Sequence, residues 1–163
     1  MPGAPQLGAE HRRLAAFAGD WEGEELVGPS RWFAPGPARG FVSARIGLGG
    51  FYLIQEYRQE REGETCFTGH ALITFDGEDG RYKMFWHDSV GFVPESPATG
   101  QWGEDGLSLR RASLRGSTRH LYGFTDPETY SLTIRFSPDD EGWSDLLTAT
   151  YRRVAPAPAA PHA

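Results

Sequence analysis

Two strand-like stretches carry polar side chains at positions where an interior is expected. In 50–60, Glu56, Arg58 and Glu60 belong on a face turned to water, so strict alternation turns Leu53, Gln55, Tyr57 and Gln59 the other way. In 81–89, Arg81, Lys83 and His87 outward leave Tyr82, Met84, Trp86 and Asp88 inward. A buried amide, phenol or carboxylate costs about 1–3 kcal/mol unless it is paired. Gln55, Tyr57 and Asp88 must therefore bond one another, a water or a ligand. The structural alternative is that Asp88 and Ser89 cap a turn while Tyr57 donates to a backbone carbonyl.

Two histidines extend this set. His70 alternates with Cys66, Thr68, Leu72 and Thr74, and His120 alternates with Tyr122 and Phe124, so parity does not settle which way either faces. An imidazole inside a fold can shuttle a proton, anchor a ligand or hold haem, although a lone histidine is more often a satisfied core or surface residue. His87 and Asp88 are adjacent and point to opposite faces, which excludes them as a catalytic pair. Asp88 with His70 or His120 from another strand is the candidate general acid/base combination.

The ligand-binding candidates are Gln55, Tyr57, His70, Met84, Trp86, Asp88, His120 and Tyr122, with Trp32 and Phe33 from a long connection. No Gly-x-Ser-x-Gly elbow, phosphate-cradling glycine loop, His-Glu-x-x-His or complete calcium loop is present, and no metal site is expected. Hydrolase, kinase and metalloprotease chemistry are thereby disfavoured. A cyclase, isomerase or lyase needs no such motif, because a shaped cavity and one acid or base suffice.

The elements that would position these residues are strands. Ten candidates run over 19–27, 38–47, 50–60, 64–75, 81–93, 98–103, 106–114, 118–125, 129–137 and 142–153. Most are joined by short turns such as Arg61-Glu62-Gly63 and Gly103-Glu104-Asp105-Gly106, and short connections join antiparallel neighbours. A meander of this length hides its edges by closing, so the expected fold is all-β, a single antiparallel up-and-down barrel. One two-turn helix is expected over 9–17, with Leu14 and Phe17 on its buried face at one barrel end. In Phe17-Ala18-Gly19-Asp20-Trp21-Glu22-Gly23, the glycine turns the chain into the first strand. Trp21 then plugs the closed end and needs a partner for its indole N–H. The connection 27–37 is stiffened by proline and carries Trp32 and Phe33, as a lid over the mouth or as plugs of the barrel end.

The 163 residues fit one domain, 1–154, followed by a Pro/Ala tail, 155–163, expected to be disordered. A net charge of −6, with basic residues scattered, argues against nucleic acid or an anionic membrane as partner. The single cysteine, Cys66, rules out an intramolecular disulfide and is expected to be a buried packing residue. With no signal-like N-terminus or long apolar run, the expectation is a cytoplasmic protein; a homodimer is compatible with this composition.

The order of motifs resembles the DUF1579 family. It runs through Glu10-His11, Gly19-Asp20-Trp21-Glu22-Gly23, Gly49-Gly50-Phe51, Phe67-x-Gly69-His70, Asp76, Trp86-His87-Asp88-Ser89-x-Gly91, Gly100-x-Trp102, Leu107-x-Leu109, Arg119-His120, Tyr130 and Trp143. The resemblance covers nearly all the chain outside the tail. It implies a calycin-like, lipocalin-like barrel with an internal cavity and no established reaction. Gly19 to Glu24 also resembles the opening of the nitrobindins, which hold haem through a late histidine. Here 143–153 has no histidine, His162 lies in the tail, and His120 is the late candidate.

The leading functional expectation is binding of a small, largely apolar or aromatic molecule in the barrel, without a cofactor. The alternatives are a cofactor-independent enzyme using the same cavity, haem binding, and a barrel packed solid that serves as an interaction module. A cavity below about 300 Å³ favours the last.

Overall fold

The structure, a computed structural model, describes residues 3–154. The expected disordered tail lies outside the described residues. A helical turn, α1 (Ala9–Arg13), passes directly into a 3-10 turn over Leu14–Phe17. Ten strands follow: β1 (Gly19–Val27), β2 (Gly36–Gly47), β3 (Tyr52–Arg61), β4 (Glu64–Asp76) and β5 (Arg81–Asp88), then β6 (Ala98–Gly103), β7 (Gly106–Ser113), β8 (Gly116–Asp126), β9 (Thr129–Ser137) and β10 (Ser144–Arg153). They form one closed antiparallel barrel in which each strand pairs with its chain neighbours and β10 closes on β1.

One end is sealed by aromatic rings. Leu14 and Phe17 are fully buried, and the tightened 3-10 turn lowers Phe17 to within 4.9 Å of the Phe124 ring and 5.3 Å of Tyr130. Trp21 is 1% exposed, and its Nε1 donates to the Phe17 carbonyl at 3.0 Å, the partner that a buried indole requires. The Arg153 guanidinium lies 4.3 Å from the centre of the Trp21 ring, on its face. His11 is also buried, edge-on to Phe51 and Phe75, and its Nδ1 accepts the Gly8 N–H at 3.1 Å.

Alternation fixes what faces inward. In β3, Leu53, Gln55 and Gln59 are buried; in β5, Tyr82 and Met84 are buried. The stretch expected as a strand over 81–93 stops at Asp88. There Asp88 Oδ1 accepts the Val90 N–H at 3.0 Å, Ser89 Oγ accepts the Thr68 N–H at 3.0 Å, and Gly91 takes a left-handed φ of 96°. The β5–β6 ladder is short, three pairs from Tyr82↔Gly100 to Met84↔Ala98. Beyond Met84 the two strands part, so Trp86 and Asp88 stand beside a gap in the wall at the open end.

β4 carries a bulge. Gln59 pairs with Phe67 and Glu60 with Thr65, which leaves Cys66 as the extra residue. Cys66 is exposed rather than buried, because a bulged residue drops out of the inward/outward alternation. Its Sγ lies 3.5 Å from the Gln59 carbonyl. Among the described residues, no helix is long and apolar enough to cross a membrane.

Candidate ligand cavity

Between the aromatic seal and the open end lies a cavity of about 250 Å³. Gln55 and Tyr57 reach it from β3, Met84, Trp86 and Asp88 from β5, and His120 and Tyr122 from β8; Trp32 and Phe33 cover it from the connection after β1. Ser30 Oγ accepts the backbone N–H groups of Trp32 and Phe33 at 3.2 and 3.1 Å, which fixes the tip of that connection. Trp32 meets Phe136 edge-on at 5.1 Å, and Phe33 meets Phe67 edge-on at 5.6 Å.

His70 is not part of this cavity. Its Nδ1 lies 2.6 Å from Glu56 Oε1 on the outside of the barrel. The bulge at Cys66 is the reason: it shifts the β3–β4 register by one residue, bringing His70 opposite outward-facing Glu56 instead of inward-facing Gln55.

Trp86 forms one wall. Its ring lies directly on Gly69, where an added Cβ would fall 2.3 Å from ring atoms, so only glycine admits the indole in this position. Trp86 Nε1 donates to Asp88 Oδ2 at 2.8 Å, and Asp88 Oδ1 is the acceptor for Val90. Both Asp88 oxygens are thus engaged in holding the indole and capping the turn. Neither His70 nor His120 bonds Asp88 among the described residues, so the expected Asp/His pair is not assembled.

His120 has a different environment. The ring is half-buried beside the cavity and nearly parallel to Tyr122, with centroids 6.4 Å apart. Its Nδ1 is buried and has no hydrogen-bond partner among the described residues. Burial, aided by the positive charge of Arg111, lowers its pKa from 6.5 to about 4, so the imidazole is neutral at pH 7. Burial also raises the Tyr122 phenol above its ordinary range, and among the described residues its hydroxyl donates to Met84 Sδ, at 3.8 Å. The neutral imidazole of His120 and the neutral phenol of Tyr122 join the Gln55 amide among the polar groups lining the cavity.

Among the residues that the sequence reading missed is Glu25, 4% exposed on the inward face of β1. Tyr57 Oη lies 2.8 Å from both of its oxygens, Gln59 Nε2 donates to Oε1 at 3.0 Å, and the Tyr151 hydroxyl donates to Oε2. Burial raises the Glu25 pKa above the usual carboxylate value, opposed by these three donors. Burial and the neighbouring carboxylate raise Tyr57 as well. Tyr57, Gln59 and Tyr151 all line the cavity, so this network braces its wall. The signal lay in β1 itself: Trp21 inward places Gly23, Glu25 and Val27 on the same face.

Known proteins resemble the chain chiefly in architecture. The crystal structure of Rv2717c from M. tuberculosis superposes with a TM-score of 0.72 at 14% identity, covering 92% of this chain and 100% of that one. The S-type phycobiliprotein lyase CPES from Guillardia theta superposes with a TM-score of 0.62 at 12% identity, covering 94% and 100%. At these identities the likeness is one of fold. No curated protein matches the sequence. The family described as Protein of unknown function (DUF1579) matches residues 6–153, and with nearly the whole barrel inside that match, the chain belongs to the DUF1579 family.

Proposed function

We propose that the protein binds a small, largely apolar molecule inside the barrel. The observation that carries this reading is the buried, unpartnered His120 Nδ1 beside an aromatic-walled cavity. An orphaned polar atom in a core costs about 1–3 kcal/mol, and a ligand that bonds it removes that cost. Trp86, Tyr57, Phe33 and Trp32 supply flat apolar surface, and Tyr122 and Gln55 supply polar contacts that orient the guest.

The volume limits a guest to one or two rings. Haem is poorly matched to it, and His120 stands alone among the candidate axial ligands because His70 is outside, so no step is assigned to haem. An enzymatic reading keeps only His120 as a base, since Asp88 is occupied. The lyase among the structural neighbours has its activity stated for itself, and the likeness at 12% identity extends to the fold.

The second reading is an interaction module: at 250 Å³ the cavity falls just under the range of ordinary ligand pockets, and size weighs for that reading while the orphaned His120 Nδ1 weighs for a guest. Native mass spectrometry of the protein purified from its own cells decides between them. A released small mass, lost in Trp86→Ala, is the expected result. Identical native and denatured masses would favour the interaction module.

A further inference from the structure

We infer that the molecule held in the cavity carries an anionic oxygen group, a carboxylate in its simplest form, received at the mouth by Arg111 and Arg115. This deepens the proposed binding function and rests on it. In β7 the inward positions are Leu107, Leu109, Arg111 and Ser113; the two leucines are 1% and 0% exposed, and the next residue on that face is a guanidinium. Arg111 stands opposite Thr118, and Leu109 opposite His120, so the arginine is one step nearer the mouth than the orphaned imidazole. Arg115, in the hairpin after β7, lies over Phe92 at 4.0 Å and also lines the cavity.

None of the ion pairs among the described residues includes either arginine. The one acid on the cavity wall, Asp88, already accepts from Trp86 and Val90. Glu25 stands behind Tyr57, Gln59 and Tyr151 and is saturated by them. Two guanidinium groups therefore face an apolar cavity with no free counter-charge. A planar carboxylate fits the guanidinium fork, and its apolar body extends toward Trp86. The low dielectric of the walls strengthens the attraction and selects an anion over a neutral molecule of the same shape.

The test compares 2-naphthoate with 2-naphthamide, which have the same ring system and nearly the same shape but differ in charge, by isothermal titration calorimetry on the full chain. The expected result is naphthoate binding at least roughly tenfold tighter, as charge-assisted hydrogen bonds imply. That ratio should collapse toward one in Arg111→Met and be partly retained in Arg111→Lys, with Arg115→Met reducing it less. Thermal unfolding of each variant establishes that it folds. Equal affinity of the wild type for both probes overturns the anion inference and leaves the cavity reading standing. An unchanged ratio in both methionine variants also overturns it. Absence of binding by either probe at millimolar concentration overturns both.

Discussion

Replacing His120 with leucine removes a titration that the fold works against. In the unfolded chain His120 takes up a proton near its ordinary 6.5, whereas in the barrel it does so only near 4. Between those values the unfolded chain binds more protons than the native one, so stability is complete above pH 6.5 and falls as the pH drops toward 4. The displacement corresponds to about 3 kcal/mol when fully expressed. Water reaching the cavity side of the ring screens part of this, so about 3 kcal/mol is an upper bound. For a chain of this length it is a fall in Tm of about 6–12 °C. The charged groups that line the cavity with the ring are Arg111, on the neighbouring strand, Arg115 and Asp88, and of these Arg111 acts in the same direction as burial. At pH 7, His120→Leu should be as stable as the wild type or slightly more so, because it deletes an unsatisfied nitrogen. Urea unfolding of both proteins from pH 7.5 to pH 4 supplies the assay, read as the difference between the two profiles so that other titrating groups cancel. A difference that widens steadily below pH 6.5 is expected. Parallel profiles would refute the reasoning, as would a His120 titration near 6.5 by NMR.

Three variants probe the buried network and the seal. Glu25→Ala strands the Tyr57 and Tyr151 hydroxyl donors and leaves Gln59 Nε2 only its bond to Tyr57 Oη, and should cost about 3–5 kcal/mol in urea unfolding at pH 7. Glu25→Gln should show a milder loss and an altered pH profile. With the folded pKa of Glu25 raised, its contribution is fully present below the unfolded value of 4.5 and declines as pH rises through the folded value, and the glutamine variant lacks that decline. Trp21→Phe gives up the bond to the Phe17 carbonyl and leaves unfilled space beneath Arg153; a loss of about 2–3 kcal/mol with unchanged urea m-value is expected.

Charged residues made three strands legible. Glu56, Arg58 and Glu60 in β3 and Arg81 and Lys83 in β5 mark the wet face so clearly that the opposite residues follow by parity, as Arg135 does in β9, and these strands supply one part of the cavity wall. β4 resisted because its register depends on one extra residue, Cys66, which nothing in the local composition announces. A two-residue turn counted without that bulge sets His70 opposite Gln55, inside the barrel. Glu25 escaped for the opposite reason: beside Glu22 and Glu24 it looks like part of a solvated acidic face, and only alternation from Trp21 contradicts that. Arg111 was hidden by the rule that served elsewhere, since arginine is normally taken as a marker of the outside. The end of β5 depended on side-chain caps from Asp88 and Ser89, where a run of Val90, Phe92 and Val93 suggested continuation.

Gly40 stands opposite Gly23 in the β1–β2 pair, and a Cβ there would fall 2.2 Å from Glu25 Oε2 and 2.9 Å from the Tyr151 ring. The acid and the vacancy that admits it are encoded on different strands, and the vacancy cannot be filled while the acid stays. Giving up Glu25 relieves the carboxylate clash but leaves the Tyr151 ring in the way, and filling Gly40 first costs the carboxylate its seat. Divergence at this wall of the barrel therefore begins with Glu25 and Tyr151, and Gly40 is filled last.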